Sequence, residues 1–223
     1  MNTPQPKAAD QAALADALRS DASALLVIDM QNDFCAPGGY IDAVMGKDVA
    51  AAAGICKNLQ QLLAAARDNH VPVFWIGADY SHDRIPASML RKLRLRGITA
   101  TCCEPGSWGA QWFCVSPAQD EAVFIKHNYS GFSGTDLESA LRAHGVETLV
   151  LTGVQTQICV ESTAREGHSL GFTCVVPRDA VASHTPQLHE ASLMNVQFLF
   201  GEVCTTQDVV SAWAALPSPA SSN

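Results

Sequence analysis

Short apolar runs alternate with helix-like segments along most of the chain. Six runs have the length of a buried strand and span residues 24–28, 71–76, 122–125, 148–151, 173–176 and 196–200. Between them, apolar residues recur at helical spacing over residues 48–69, 135–145, 157–170, 186–195 and 207–215. Because buried parallel strands are joined by crossover helices, this alternation predicts a doubly wound α/β fold with helices on both faces of a parallel sheet.

Three segments carry more specific predictions. In residues 135–145, Thr135 is predicted to be the helix N-cap, with Glu138 as its capping-box partner and Gly145 as the stop. Residues 77–120 contain several prolines and glycines and are too long for a simple crossover, so we expect a lid-like segment over one end of the sheet. The N-terminus is expected to be a frayed start followed by a short Ala-rich helix, and residues 216–223 a disordered tail.

The length suits a single domain over residues 1–223, with a core at about residues 22–215. The net charge of −8, with only a short basic patch at residues 91–96, argues against nucleic acid and acidic membranes as partners. No apolar stretch approaches the ~18 residues of a transmembrane helix, and the first twenty residues lack the apolar region of a secretory signal. We therefore expect a cytoplasmic protein.

Eight cysteines lie at positions 35, 56, 102, 103, 114, 159, 174 and 204, and none forms a C-x-x-C motif. This spacing favours reduced thiols in a cytosolic chain over a disulfide scaffold. The neighbours Cys102 and Cys103 are interpreted as loop or core thiols, with a redox-active pair as the alternative.

Reactive side chains follow three of the predicted strands. Asp29 comes after the first run, Lys126 after the third, and Cys159 a short turn after the fourth. Each alone has an ordinary explanation, as a turn residue, a solvated lysine or a small core residue. Since ligands bind at the carboxyl ends of parallel strands, the fold is expected to bring the three groups to one rim.

Together these groups can perform acyl transfer. The thiolate is the reactive form of a cysteine, and we expect Lys126 and the start of the following helix to favour it at Cys159. Asp29 can take the thiol proton and deliver it to a leaving nitrogen. The turn before Cys159 can add backbone N–H groups that face a developing oxyanion.

Four stretches resemble the isochorismatase-like cysteine hydrolase superfamily, namely "LLVIDMQNDF", "FIKHNYSGFSGTDL", "LVLTGVQTQICVESTAREGHSLGF" and "VVPRDAVAS". The resemblance implies a Rossmann-like three-layer α/β/α fold with a six-stranded, mainly parallel sheet. It places the catalytic triad of the family's amidohydrolases on Asp29, Lys126 and Cys159. It also implies a cis peptide bond between Val154 and Gln155, which turns the N–H groups of Gln155 and Cys159 toward the substrate carbonyl oxygen. No cofactor is expected, and homo-oligomers (dimers or tetramers) are usual in the family.

The details of the motifs distinguish between branches of this family. The intact triad disfavours isochorismatases proper, which act on a vinyl ether without this thiol. Nicotinamidases carry a metal-binding D-x-H after the second strand, whereas "GADYSHD" spaces Asp79 and His82 as D-x-x-H, so no metal is expected. The nearer likeness is to ureidoacrylate, biuret, triuret and N-carbamoylsarcosine hydrolases, which implies a small ureide substrate.

A ureide pocket requires amide and hydroxyl groups as well as charge. The candidates beside the motifs are Asn128, Tyr129, Gln155 and Gln157, with Phe34 as an apolar wall. The alternative for each is turn packing or loop solvation. Trp108 in the lid-like segment is interpreted as a packing anchor.

Three other functions remain as alternatives. A nicotinamidase-like or other amide hydrolase of the same superfamily would share the triad. A thiol-redox protein would use Cys159, and Cys102 with Cys103, but the chain lacks C-x-x-C. A nucleotide-binding module is weaker, since neither G-x-G-x-x-G nor a phosphate-binding loop lysine follows a strand.

Overall fold

The computed structural model of the protein describes residues 14–18 and 21–215. In these residues seven strands form one sheet: β1 (Ser23–Ile28), β2 (Val73–Ala78), β3 (Ala122–Lys126), β4 (Thr148–Val154), β5 (Thr173–Pro177), β6 (Val181–Ala182) and β7 (Glu202–Cys204). The strand order is β3-β2-β1-β4-β5-β7, with β6 paired to β4, and every pairing is parallel. The predicted doubly wound α/β fold is confirmed, with one more short strand than expected.

Within the described residues 21–215, nine α-helices surround the sheet. They are α1 (Asn32–Cys35), α2 (Tyr40–Ala43), α3 (Ala50–Gly54), α4 (Cys56–Asp68), α5 (Ala87–Leu95), α6 (Leu137–Ala143), α7 (Glu161–Ser169), α8 (Pro186–Asn195) and α9 (Thr206–Ala214). Residues 14–17 are also helical. The predicted frayed start before residue 14 and the predicted tail at 216–223 lie outside the described residues.

The sheet divides the core into two layers because alternate residues of a strand point to opposite faces. From β1, Leu25 and Val27 pack with α4 and α9, while Leu26 and Ile28 pack with α6, α7 and α8. Every residue of β1, β2 and β4 is buried, which explains their continuous apolar runs. The carboxyl ends of these central strands therefore form a rigid base for a site.

Several local predictions were wrong. Residues 196–200 form a π-helical segment that continues α8 instead of a sixth strand, and the outer strand is β7. Residues 48–69 form two helices, which separate at Gly54, a poor helix former. The expected capping box at Thr135 is absent, because the Thr135 hydroxyl donates to the Gly131 carbonyl and the helix begins from Asp136.

A further correction concerns the cysteines. Cys56 at the start of α4 is bonded to Cys114, 58 residues along the chain, so the expectation of fully reduced thiols was wrong. The other six cysteines are free and buried. The bond attaches α4 to the end of the 77–120 segment, which also contains α5.

The described helices are too short or too polar to cross a membrane.

Candidate active site

The fold brings Asp29, Lys126 and Cys159 together at the carboxyl end of the sheet. Asp29 follows β1, Lys126 is the last residue of β3, and Cys159 lies in a π-helical segment, Thr156–Val160, directly after β4. Lys126 Nζ lies 2.9 Å from Asp29 Oδ2 and 3.6 Å from Cys159 Sγ. All three side chains are almost fully buried, at 0–5% exposure.

The backbone around the triad is closely packed. Asp29 adopts a left-handed conformation (φ 53°), and its N–H donates to the Ile76 carbonyl at 2.8 Å. On β4, a Cβ at position 153 would collide with the Ile28 carbonyl oxygen, so Gly153 is required for β4 to approach β1. These contacts fix the distance between the strand ends that carry Asp29 and Cys159.

Tyr80 joins this cluster and was missed by the sequence analysis. Its hydroxyl accepts a hydrogen bond from Lys126 Nζ at 2.8 Å, donates to the Asn128 carbonyl at 3.0 Å, and lies 3.7 Å from Cys159 Sγ. The Lys126 ammonium also lies 5.1 Å from the centre of the Tyr80 ring. Tyr80 comes two residues after β2, so the strand-end criterion that identified the other three residues would also have found it.

Burial controls the protonation of the cluster. Burial raises the pKa of Asp29, and the charge of Lys126 offsets part of this rise. Burial lowers the pKa of Lys126, but Asp29 and Cys159 outweigh it, so that this pKa is raised overall. Burial and the charge of Asp29 raise the pKa of Cys159 to about 12, with Lys126 and Tyr80 acting in the opposite direction. Lys126 therefore favours the thiolate, as expected, but desolvation outweighs its effect on the pKa of Cys159.

The peptide bond between Val154 and Gln155 is cis, as expected from the family resemblance. The Gln155 side chain is held by the His184 N–H, which donates to its Oε1 at 2.9 Å. Gln155 lines the cavity beside Cys159. The residue predicted to contribute an oxyanion N–H therefore lines the same cavity as Cys159.

A cavity of about 130 Å³ opens beside Asp29 and Cys159. Its remaining polar lining consists of Gln155, the thiol of Cys102 and three tyrosines at positions 40, 80 and 129. Its apolar lining comes from Phe34, Ile41, Met45, Met89, Leu93, Ala100 and Ile158. Tyr80, Met89, Leu93, Ala100 and Cys102 belong to the 77–120 segment, so this segment forms a large part of the cavity wall.

The structure divides the predicted substrate-binding residues. Phe34, Tyr129 and Gln155 line the cavity, whereas Asn128 and Gln157 do not. The side chain of Asn128 bonds instead to Ser133 and to the Tyr129 N–H.

Trp108 is half exposed at 50%, so its interpretation as a packing anchor was wrong. Its carbonyl has a structural contact, because it accepts a hydrogen bond from Asn32 Nδ2 at 2.9 Å.

The residues present do not form the metal site of the D-x-H type. Asp79 Oδ1 accepts hydrogen bonds from the N–H and hydroxyl of Ser81, and its Oδ2 pairs with Arg84 at 3.3 Å. Buried His82 Nε2 has no hydrogen-bond partner among the described residues. Among the described residues, Asp79 and His82 do not belong to a group of three or more His, Cys, Asp or Glu side chains that lie close enough together to hold a metal ion.

One other group, Asp33 with Cys102 and Cys103, does bring three donor atoms within 4.8 Å of one another in the described part of the chain. Both oxygens of Asp33 already accept backbone N–H groups, from Tyr40 at 3.1 Å and from Cys103 at 2.6 Å. This carboxylate therefore serves to attach the 77–120 segment to α2.

Comparison with known proteins shows which relatives and solved structures this chain resembles. The ureidoacrylate amidohydrolase RutB of Methylorubrum extorquens is 35% identical over 216 residues, which cover 91% of this chain and 86% of that protein. A cysteine hydrolase from Pseudomonas syringae pv. phaseolicola superposes with a TM-score of 0.74 at 27% identity, over 88% of this chain and 94% of the other. The N-carbamoylsarcosine amidase of Thermoplasma acidophilum gives a TM-score of 0.68 at 26% identity, over 83% and 96%.

The isochorismatase domain model matches residues 23–208, which include all the strands and the whole cluster around Cys159. With this match and a relative at 35% identity over most of both chains, the chain belongs to the isochorismatase family.

Proposed function

We propose that the protein is an amidohydrolase that cleaves a linear C–N bond of a small ureide or carbamoyl compound through an acyl-enzyme on Cys159. The observation that carries the proposal is the contact of one buried ammonium with both a carboxylate and a thiol beside a cavity. The names of relatives, ureidoacrylate amidohydrolase and N-carbamoylsarcosine amidase, support this substrate class.

In the first half of the reaction, Cys159 loses its proton to Asp29 as its sulfur bonds to the substrate carbonyl carbon. The N–H groups of Gln155 and Cys159 bind the oxyanion. Asp29 then passes the proton to the leaving nitrogen, the C–N bond breaks, and an amine or ammonia departs. The raised pKa of Asp29 suits a group that must hold this proton in transit.

In the second half, water attacks the thioester carbon and gives its proton to Asp29. The C–S bond breaks, the proton returns to the sulfur, and a carbamic or carboxylic acid leaves. Lys126 stays charged throughout because it lies between Asp29 and Cys159. It holds both groups in position and compensates whichever of them is negative.

Tyr80 acts in this scheme as a neutral donor to the sulfur. Burial raises the pKa of its phenol well above the ordinary value, so its hydroxyl keeps its proton. The hydroxyl proton can turn from the Asn128 carbonyl, 3.0 Å away, toward the sulfur at 3.7 Å when the thiolate forms.

Ammonia release over a panel of compounds tests the function. The panel contains biuret, triuret, ureidoacrylate, N-carbamoylsarcosine and nicotinamide, the last as a test of the nicotinamidase-like alternative. We expect turnover of at least one carbamoyl compound and none by Cys159→Ser, with an unchanged far-UV spectrum. Cys204→Ala, which removes a buried thiol remote from the cavity lining, is the matched control. Full activity of Cys159→Ser would end the proposal.

We also propose that the protein forms a homo-oligomer, a dimer or a tetramer. The α8 region supports this assembly, because it exposes four large apolar side chains: Leu188, Met194, Phe198 and Leu199. Light scattering on the protein and on Phe198→Asp measures the assembly, and a monomeric unaltered protein would refute it.

A further inference from the structure

We propose that the substituent next to the scissile C–N bond is uncharged and apolar, so the preferred substrate is a neutral ureide or amide with a compact hydrocarbon group. This inference rests on the proposed amidohydrolase function and specifies its substrate. It separates this chain from an enzyme for an anionic ureide such as ureidoacrylate, whose carboxylate requires a cationic or strongly hydrogen-bonding partner.

The cavity lining has two chemically different parts. Asp29, Cys159 and the Gln155 amide form the polar part, beside which the reacting carbonyl must lie. The rest of the wall is formed mostly by thioether, aliphatic and aromatic side chains, including Met45, Met89 and Leu93. A hydrocarbon group gains free energy by leaving water for such a wall, and the flexible methionines can adapt to its shape.

No lysine, arginine or histidine lines the cavity among the described residues. Lys126 is inaccessible to solvent, and its ammonium already contacts Asp29, Cys159 and the Tyr80 hydroxyl. All three of its N–H donors are therefore used, and none is available to a substrate carboxylate. The one carboxylate of the lining, Asp29, would repel a second anion. The remaining hydrogen-bond donors of the lining, chiefly the tyrosine hydroxyls, are neutral, so no positive charge compensates a substrate carboxylate and the site suits a neutral substituent.

The basic residues on α5 and directly after it do not change this conclusion. Arg91, Lys92, Arg94 and Arg96 are all exposed and lie outside the cavity lining. The charge of Arg96 does reach the rim, because it offsets part of the rise that burial causes in the pKa of Tyr129. It is thus the cation to remove when anion binding is tested.

The volume sets the size of the substituent. A cavity of about 130 Å³ is slightly smaller than the engineered cavity of about 150 Å³ that binds benzene. Because the reacting carbonyl group occupies part of this space, the substituent must be compact, a branched alkyl chain of at most about five carbons or a small ring. A carboxylate of the same shape also fits, so the discrimination comes from desolvation and not from size.

Two isosteric pairs measure this discrimination. One pair is 3-methylbutylurea and 3-ureidopropionate, and the other is 4-methylpentanamide and succinamate. In each pair an isopropyl group replaces a carboxylate. We expect kcat/KM, from ammonia release, to be at least about 100-fold higher for the neutral member, since a buried carboxylate without a partner loses its hydration. The same order of binding is expected by calorimetry with Cys159→Ala, which needs no turnover.

Substitutions on α5 give the matched test. Leu93 lines the cavity and is only partly buried where α5 packs against the core, so Leu93→Arg places a cation at the wall without altering a fully buried position. We expect this variant to reduce the preference for the neutral members at least about tenfold. Leu95→Arg, on the same helix but 74% exposed and outside the lining, should leave the preference unchanged.

The outcomes separate the two proposals. Faster turnover or tighter binding of the carboxylates by the unaltered protein would overturn this inference and leave the amidohydrolase function standing. So would a carboxylate preference that disappears in Arg96→Met. Absence of turnover for every compound here and in the wider panel would overturn both.

Discussion

Lys126 Nζ lies 2.9 Å from Asp29 Oδ2, and solvent reaches neither side chain, at 0% and 1% exposure. The contact joins the end of β3 to the end of β1, across the intervening β2. The attraction between the two charges compensates for the desolvation of both groups, whereas either charge alone would be buried without compensation. The cluster of Asp29, Lys126 and Cys159 is therefore a structural element, and its removal should lower the free energy of unfolding.

Replacing Lys126 by methionine should lower the free energy of unfolding at pH 7 by ~3 kcal/mol, because the carboxylate of Asp29 is left buried without a partner. Urea denaturation measures the change. The double variant Asp29→Asn with Lys126→Met should recover at least half of the loss, since no charge remains buried.

The pH dependence of the Lys126→Met variant provides a second check. Loss of the lysine raises the folded-state pKa of Asp29 further. A raised folded-state pKa contributes stability at pH values below the unfolded-state pKa, and this stability is lost as the pH rises through the folded-state pKa. The stability deficit of the variant should therefore shrink as the pH falls from 7 toward 4. A constant deficit would contradict a charged Asp29 as its cause.

Alkylation of Cys159 by iodoacetamide should show its raised pKa. Only the thiolate reacts, so with a pKa of about 12 the rate should rise about tenfold per pH unit from pH 7 to 10 without levelling. Peptide mass spectrometry can follow Cys159 separately from the other thiols. A plateau below pH 9 would show that burial does not raise the pKa of the Cys159 thiol.

Tyr80→Phe removes the hydroxyl that faces the sulfur and keeps the ring contacts to Phe34 and Tyr129, at 6.0 and 6.4 Å between ring centres. We expect kcat to fall about 10- to 100-fold with little change in KM, since a hydrogen bond to a charged group is lost. The alkylation rate of Cys159 at a fixed pH should fall as well, because the hydroxyl lowers the pKa of the thiol. Equal alkylation rates in both proteins would exclude this role.

The bond between Cys56 and Cys114 should contribute ~2–4 kcal/mol to stability, because it closes a long loop in the unfolded chain. The double variant Cys56→Ala with Cys114→Ala should lose this amount, and dithiothreitol should then have no further effect.

Thiol titration checks the disulfide independently. In denaturant it should count six thiols in eight cysteines before reduction. Eight thiols in protein purified from the cytoplasm would fit the predicted location and show that the bond is not formed there.

The meeting of Asp29, Lys126 and Cys159 could be predicted from the sequence because it depends only on where these residues follow the strands. Asp29, Lys126 and Cys159 come at or just after the ends of buried parallel strands, and those ends must meet at one edge of the sheet. Tyr80 satisfies the same criterion after β2, but it was hidden in a segment without periodicity. The high pKa of Cys159 was not predictable, because it depends on how completely the folded chain excludes water.

Predictions from local sequence patterns were wrong where contacts between distant parts of the chain determine the structure. The apolar run at residues 196–200 forms a π-helical segment in which Val196 is buried but Phe198 and Leu199 are largely exposed, so its hydrophobicity did not indicate a buried strand. The true outer strand, β7, has three residues and too little apolar pattern to recognise. The capping box occurs at Thr205 and Asp208, where aspartate replaces the usual glutamate or glutamine. The bond between Cys56 and Cys114 joins positions that only the fold brings together.

The helix α5 provides cavity residues but has no buried residue of its own. Mutations at Met89 or Leu93, which are only partly buried against the core, can therefore alter which compound is accepted at a smaller stability loss than substitutions of fully buried residues. The reacting groups, by contrast, lie at the ends of fully buried strands, where change is costly. This division lets selection diversify the chemical preference of such an enzyme while its reaction machinery stays constant, and it makes α5 the natural target for a directed-evolution library.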